Sequence, residues 1–184
     1  MRKILIALVS VTATLAVMAA PALADKKNET ILGNVLEISG ASGFDDNAGD
    51  FDILRDAVLA TGLEGKLAGN RQLTVFAPSD QAFLDLTGAS TEEEAFDGVA
   101  ALGIPAVKQV LKYHIAPGRR AADRVVKAKR IPTLLNGEAI TKRRGSTKLK
   151  DAIGGKVEIV APDAVKASNG IVHVIDGVLL PFAP

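Results

Sequence analysis

A nearly unbroken apolar run at residues 171–175 constrains the fold of this chain more than any other segment. Successive side chains of a strand point to opposite faces, so a strand that is apolar at almost every position needs cover on both sides. The turn dipeptide Asn169-Gly170 precedes the run, and Gly177 follows it. We therefore expect an interior strand here, with other elements packed against both of its faces.

Helical patterns dominate the first half of the chain, and strand patterns dominate the second. Helices are predicted at residues 31–38, after an Asp52 cap as far as Gly62, after a Ser79 cap as far as Gly88, after a Ser90–Glu93 capping box, from Pro105 to His114, and at residues 121–128. Strands are predicted at residues 73–77, 133–135, 138–142, 157–160 and 171–175, with Asn136-Gly137 as a hairpin turn. Helices first and strands later predict an α+β domain. The predicted core includes Phe76, Phe83, Val172, Val174 and Leu179.

The first 24 residues have the three parts of a secretory signal peptide. The positive pair Arg2-Lys3 is followed by an apolar run at residues 4–18 and by Ala22-Leu23-Ala24, which matches a cleavage site. The apolar run is shorter than the about 20 residues that a membrane-spanning helix needs. We expect cleavage before residue 25, a single domain at residues 25–184 with no transmembrane segment, and export to the periplasm, the extracellular space or the cell surface.

The composition excludes several functional classes. The 184 residues include no cysteine and no tryptophan. Disulfides, thiol nucleophiles and thiolate metal sites are therefore excluded, and no Gly-x-Ser-x-Gly motif offers the nucleophile of that class of serine hydrolase. Few aromatic residues are available for stacking against nucleotide bases, so we expect no nucleic-acid partner. We also expect no cofactor.

Charge is distributed unevenly along the chain. Residues 25–97, the acidic first half, carry 15 acidic and five basic residues, whereas residues 119–150, the basic tract, carry 11 basic and two acidic ones. Such a molecule is dipolar, and a dipole can orient a charged partner without a large net charge.

Three segments resemble the signature segments of the fasciclin domain family. They are residues 74–83, which lead from a strand through a proline turn into a helix, the pair Tyr113-His114 followed by Pro117-Gly118, and residues 169–181. They occur in the order and at the spacing of the family. The signature residues to which we assign a structural role are Phe76, Pro78, Ser79, Asn169, Gly170, His173, Asp176 and Pro181.

The resemblance implies a compact wedge of β-strands packed with several helices. It also implies an extracellular or surface role, commonly adhesion to other cells or to matrix. The loop at residues 39–50 departs from the resemblance, because it is longer than is usual in the family.

The two histidines are the only side chains suited to acid–base work near neutral pH. His114 lies on the apolar face of a predicted helix, and His173 shares a strand face with Ile171 and Ile175. One interpretation is a catalytic or metal-binding pair, which Asp176 would complete as a triad. The favoured interpretation is that both imidazoles are buried and hydrogen-bond the backbone, while Asp176 forms a turn with Gly177. We expect no catalytic residue and no metal ligand among them.

An acidic loop and a basic tract are the remaining candidate sites. Residues 39–52 carry several carboxylates, but their spacing fails the EF-hand pattern, so a solvated loop and a non-standard calcium site both stay open. The basic tract either binds an acidic partner or protects a strand edge from aggregation. The candidate interaction residues are Tyr113, His114, Arg119, Arg120, Arg124, Lys142, Arg143 and Arg144.

These observations favour an exported adhesion or binding module without catalytic activity, whose partner is a cell-surface or matrix protein or an acidic polysaccharide. A small-ligand carrier with an apolar interior is the first alternative. An enzyme with an unrecognised site is the second.

Overall fold

The computed structural model describes residues 29–40, 43–45 and 47–183. The predicted signal peptide, residues 1–24, lies outside the described residues. The helices are α1 (Ile31–Ile38), α2 (Asp52–Thr61), α3 (Glu64–Leu67), α4 (Asp80–Thr87), α5 (Glu92–Ala100), α6 (Ile104–Tyr113) and α7 (Ala122–Lys127). The strands are β1 (Leu73–Pro78), β2 (Ile115–Pro117), β3 (Arg130–Pro132), β4 (Ala139–Lys142), β5 (Lys148–Lys150), β6 (Lys156–Ala167) and β7 (Gly170–Ile175). The α+β prediction is confirmed.

The described strands form one seven-stranded sheet in the order β2-β1-β7-β6-β5-β4-β3. Strand β7 is therefore interior, as its apolar run predicts. It pairs in parallel with β1 on one side and antiparallel with β6 on the other. All of its residues are buried except the half-buried Val174, which corrects the prediction that this valine is a core residue.

Strands β1 and β7 separate two hydrophobic clusters. Val75 and Val172 face a larger cluster that includes residues from helices α1, α2, α4, α5 and α6. Phe76 and Ile175 face a smaller cluster whose other members come mainly from the β3–β6 part of the sheet. Because neighbouring residues of these strands enter opposite clusters, the two strands bury both of their faces. Phe83 lies in the larger cluster and Leu179 in the smaller one, so these core predictions hold.

The turn before β7 ties three segments together. The Asn169 side chain accepts a hydrogen bond from the Ile31 amide at 2.8 Å and donates to the Leu67 and Gly69 carbonyls, both at 2.7 Å. The backbone carbonyl oxygen of Asn169 also accepts a hydrogen bond from the Leu73 amide at 3.0 Å. This buried asparagine therefore links the start of α1, the end of α3 and the start of β1.

Gly170 permits a close approach between β7 and β1. A Cβ at this position would lie 2.6 Å from Ile31 Cδ1 and would overlap the Leu73 carbonyl oxygen. Leu73 is the residue with which Gly170 pairs in the parallel ladder. Glycine is required here by space rather than by backbone conformation, because its φ angle is not positive.

Helix ends were predicted better than helix starts. Gly62 and Gly88 end α2 and α4 in the left-handed conformation, as predicted. Asp52, however, is the first residue of α2 rather than its cap. The predicted Ser90–Glu93 box is displaced by one residue, because Thr91 caps α5 by accepting from the Glu94 amide at 3.3 Å.

The strand pattern also differs in places. The strand predicted at residues 133–135 is wrong, since those residues lie in the β3–β4 connection, which contains the Asn136-Gly137 turn. Strand β6 extends well beyond the predicted residues 157–160 because two register shifts let it continue along β7. Within that irregular stretch Asp163 adopts a φ of 52°.

We predict that Gly170→Ala destabilises the protein by about 1–3 kcal/mol or more, because the added methyl group has no space. Gly65→Ala is the matched control, since a Cβ there meets nothing within 4 Å and its φ is not positive. Chemical denaturation measures both. Equal stability of the two variants would contradict the close β1–β7 approach.

Phe76→Ala should lower the free energy of unfolding by about 3–5 kcal/mol, because the ring is fully buried in the smaller cluster. Thermal or urea unfolding provides the measurement. A loss below ~1 kcal/mol would be too small for a buried phenylalanine.

Candidate functional site

Tyr113 and His114 are buried and bond to the backbone. The Tyr113 hydroxyl donates to the Ala139 carbonyl at 3.2 Å, and burial raises its pKa to about 12. His114 Nδ1 lies 2.9 Å from the Val110 carbonyl oxygen, and Nε2 accepts from the Leu179 amide at 2.9 Å. These bonds attach the end of α6 to β4 and to the C-terminal segment. The prediction that this pair contacts a partner is wrong, because neither side chain reaches the surface.

His173 also has a backbone partner on each ring nitrogen. Nδ1 accepts from the Asp163 amide at 2.9 Å, so Nε2 carries the proton and donates to the Arg120 carbonyl at 2.9 Å. Burial lowers the pKa of this imidazole despite the nearby Asp163 carboxylate. The ring also lies 5.6 Å, centroid to centroid, from Phe76. Both histidines thus use their ring nitrogens to hold the backbone.

Asp176 pairs with β6 rather than with a histidine. Its carboxylate accepts from the Glu158 amide at 2.6 Å, and its own amide donates to the Glu158 carbonyl at 3.1 Å. These two bonds lengthen the β6–β7 ladder. Gly177 then approaches Val157 so closely that a Cβ would lie 3.1 Å from a valine methyl group. The alternative interpretation, in which Asp176 completes a triad with a histidine, has no counterpart in this arrangement.

The signature residues Pro78, Ser79 and Pro181 occupy three different structural positions. Pro78 is buried at the end of β1 and pairs with Ile175. Ser79 occupies the N-cap position of α4 but makes no side-chain capping bond. Pro181 is half-buried beyond the last strand.

Lys142 is used inside the fold, although the sequence suggested an anion-binding face, whereas Arg119 is exposed but bonds to backbone carbonyls. Lys142 is buried, and its ammonium group donates to the Val126 and Arg143 carbonyls at 3.0 and 3.2 Å. Burial lowers its pKa. Arg119 donates to the Ala167 and Gly170 carbonyls, both at 2.7 Å. The prediction that Lys142 is an interaction residue is wrong, because its charged group faces backbone carbonyls.

The other predicted arginines are accessible to different degrees. Arg120 is half-buried, and its Nε donates to the Pro117 carbonyl at 3.3 Å. Arg124 is exposed on α7. Arg143 and Arg144 are exposed beyond the end of β4, where they line an open cleft of about 470 Å³ at residues 143–148.

A second basic surface is assembled by strand pairing. Arg130 pairs with Thr141, Thr141 with Lys150, and Lys150 with Lys156, so these four residues share one face of β3–β6. All four are exposed, whereas their neighbours in the sequence are buried on the other face of the sheet: Ile131, Ile140, Leu149 and Val157. We call Arg130, Lys150 and Lys156 the cationic row. Sequence reasoning missed it, although the alternation in Lys148-Leu149-Lys150 is typical of a strand with one exposed face.

The acidic loop is solvated only in part, because Asp45 is exposed while the carboxylates next to α2 are buried. Asp50 and Asp52 are buried, and they lie beside Asp80 and Glu92, which are also buried. Asp80 accepts hydrogen bonds from the Asp52 and Ile53 amides at 2.8 and 3.0 Å, so it supplies the N-terminal cap of α2. Burial is the main cause that raises the pKa of Asp52, Asp80 and Glu92, and the Asp50 carboxylate raises each of them further.

The apolar interior offers little volume for a ligand. Two described cavities, both lined in part by His114 and Leu111, have volumes of about 20 Å³ each. Ligand pockets in proteins commonly measure about 300–1,000 Å³. The described interior therefore gives no support to the small-ligand carrier.

His114 should remain neutral well below neutral pH, because burial lowers its pKa from 6.5 to about 4. Between these two pKa values His114 is protonated in the unfolded chain and neutral in the folded chain. The free energy of unfolding therefore falls as the pH drops from 6.5 towards 4. NMR titration of the ring measures the pKa directly, and His114→Gln should weaken the fold while reducing this pH dependence. A folded-state ring that titrates near 6.5 would contradict the assignment.

In the described residues, no helix combines the length and the apolar character needed to cross a membrane.

The solved structure of a FAS1 domain pair from the insect cell adhesion molecule Fasciclin I has a similar fold. Its TM-score is 0.60 at 20% identity, and the match covers 83% of this chain and 51% of that one.

Sequence relatives come from bacteria and mammals. Protein sll1483 of Synechocystis sp. is 35% identical over 135 residues, which cover 71% of this chain and 67% of that protein. Transforming growth factor-beta-induced protein ig-h3 of Sus scrofa is 31% identical over 160 residues, or 86% of this chain, but the match spans only 21% of that longer protein. The family model of the fasciclin domain matches residues 49–181. The chain therefore belongs to the fasciclin domain family.

Proposed function

We propose that this chain is an exported, non-catalytic adhesion module that binds an acidic polysaccharide or the acidic surface of a cell-surface or matrix protein. The observation that carries the proposal is the cationic row. The pairing of strands β3–β6 places three exposed basic side chains on the same face of the sheet.

The geometry of the row suits an extended anionic partner. Lys150 and Lys156 pair directly, and side chains paired in this way lie about 4.5–5.5 Å apart at Cβ. Arg130 lies beyond Lys150 with the neutral Thr141 between them, so positive charge is spread across β3–β6. Arg143 and Arg144 add two exposed cations in the nearby cleft at the end of β4. Lys148 is less available, because its ammonium group lies 3.7 Å from a Glu158 carboxylate oxygen.

Family membership and the described interior support the same proposal. Fasciclin domains occur in adhesion proteins, of which the insect cell adhesion molecule Fasciclin I is an example. The four histidine ring nitrogens bond to backbone groups, and the two apolar cavities are too small for a carried ligand. The exterior is therefore the better candidate for recognition.

The row competes with a second explanation, which is that lysines protect sheet edges from aggregation. Only β2 and β3 are edges of the described sheet, and Lys150 and Lys156 lie on the inner strands β5 and β6. Edge protection therefore accounts for Arg130 on β3 but not for the other two residues.

The proposal predicts that Lys150→Ala with Lys156→Ala weakens binding to an immobilised sulfated polysaccharide by roughly 5- to 30-fold, the effect of losing about 1–2 kcal/mol of ion contacts. The matched control is Lys66→Ala with Arg71→Ala, which removes the same charge from an exposed surface outside the row. Binding should also fall as ionic strength rises, because the Debye length shrinks to about 8 Å at physiological salt.

A second arm uses an acidic protein surface in place of the polysaccharide, so that the two partner types are distinguished. An equal loss of binding in the row variant and in the control would show that the partner responds to net charge alone, which would contradict a role of the cationic row. Absence of binding to both partners at low salt would overturn the proposal.

A further inference from the structure

Five acidic residues of the first half of the chain lie close together in the fold. Asp52, Asp80 and Glu92 are the first residues of α2, α4 and α5, respectively. Asp45 and Asp50 come from the loop that precedes α2. Asp50, Asp52, Asp80 and Glu92 are at most 5% exposed, so four carboxyl groups are buried together at three helix N-termini.

The protein itself compensates only part of this buried charge. Arg55 is buried beside the cluster, and its guanidinium lies 2.5 Å from Asp52 Oδ1 and 2.8 Å from Asp56 Oδ1. Helix N-termini add partial positive charge, which is equivalent to about half an elementary charge each. Because a buried carboxylate without a counter-charge costs several kcal/mol, a further positive species is needed at this place.

Within this cluster, three buried carboxylate oxygens have no hydrogen-bond partner among the described residues. They are Asp50 Oδ1, Asp52 Oδ2 and Glu92 Oε1. The second oxygen of each group is engaged, with Asn47 Nδ2, Arg55 and the Asp45 amide, respectively. In each carboxylate one oxygen is therefore fixed by a hydrogen bond, and the other oxygen is available to bind an ion. Metal-binding carboxylates commonly have such a supporting hydrogen bond.

The carboxylates are also close enough to share an ion. Asp50, Asp80 and Glu92 each offer a carboxylate oxygen within 4.8 Å of the others, and so do Asp45, Asp50 and Asp52. Two oxygens on one calcium ion lie at most about 5 Å apart, because each Ca–O distance is about 2.3–2.6 Å. Asp50 belongs to both groups, so it is the centre of the cluster.

We propose that this cluster is a calcium site, with Asp50 and Glu92 as its central ligands and with Asp45, Asp52 and Asp80 beside them. Oxygen-only ligands favour a hard cation over zinc or copper. Calcium tolerates the irregular geometry of carboxylates from four segments, whereas magnesium demands a near-ideal octahedron and retains its waters. The bound ion would fix the N-termini of α2, α4 and α5 against one another. This site is independent of the cationic row.

The competing account is that protons neutralise the cluster instead of a cation. Both accounts explain why the carboxyl groups can be buried, but they differ in their response to calcium. Under the proton account, calcium has no saturable effect on the protein.

The test uses Asp50→Asn and Glu92→Gln, which remove the charge of the central ligands and nearly keep their shape. Glu93→Gln is the matched control, since Glu93 is the neighbouring exposed residue of α5 and undergoes the same chemical change. Asp80 and Asp52 are left unchanged, because they cap α2 and pair with Arg55. Isothermal titration with CaCl₂ and thermal unfolding in calcium, in magnesium and in a chelator are measured for the full chain.

We expect one saturable calcium site with a Kd of about 0.1–1 mM, the range of extracellular calcium modules, and a rise in Tm in calcium for the wild type and for Glu93→Gln. In Asp50→Asn and Glu92→Gln, most or all of the calcium binding and of the rise in Tm should be lost. In chelator, however, they should be as stable as the wild type or more stable, because each removes an uncompensated buried charge.

The chelator measurement shows that the variants fold, so a lost calcium response cannot be attributed to unfolding. Absence of a calcium heat and of a Tm shift in the wild type would overturn the proposal. A Tm shift of equal size in all four proteins would also overturn it, since that would place the effect elsewhere. A larger shift in magnesium than in calcium would contradict the choice of ion.

Discussion

The parallel pairing of β1 with β7 is the constraint on which the rest of this fold depends. It joins residues almost a hundred positions apart, and it is possible only because Gly170 lets the two backbones approach at Leu73. Asn169 fixes the same corner by bonding to the start of α1 and the end of α3. Once this pair is formed, the Pro78 turn directs α4 into the larger cluster and places Asp80 at the N-terminus of α2.

Polar side chains inside the domain serve mainly to satisfy backbone groups where regular pairing stops. His173 accepts from the amide of Asp163, the residue in which the β6 irregularity forces a positive φ. The buried Lys142 donates to carbonyls near the ends of strands and helices, and the exposed Arg119 does the same from the surface. A buried backbone group without a partner costs about as much as a lost hydrogen bond, so such positions select side chains with strong donors or acceptors. Residues with the chemistry of an active site therefore have a structural use here.

Sequence reasoning succeeded for several short local patterns, and it failed most where the outcome depended on distant partners. The interior strand at residues 171–175, the glycine ends of α2 and α4, and the α+β class follow from short patterns. The burial of Lys142 does not follow from such a pattern, because it depends on carbonyls at the end of α7 that only the β3–β4 hairpin brings near. The cationic row was missed for the same reason, since its members become neighbours only through strand register. The acidic cluster likewise requires three helix starts to meet.

The uneven charge of the sequence is kept by the fold rather than cancelled. If the acidic first half paired with the basic tract, the two would neutralise each other and leave no surface for an outside partner. The ion pairs seen among the described residues instead stay within one half of the chain: Arg55 binds Asp52 and Asp56, Lys127 binds Asp123 one helical turn away, and Lys148 binds Glu158 on the neighbouring strand. The acidic groups concentrate at the starts of α2, α4 and α5, whereas the cationic row lies on β3–β6. A molecule with separated charges can present its positive face to an anionic surface, and a cation bound in the acidic cluster would leave that face unchanged.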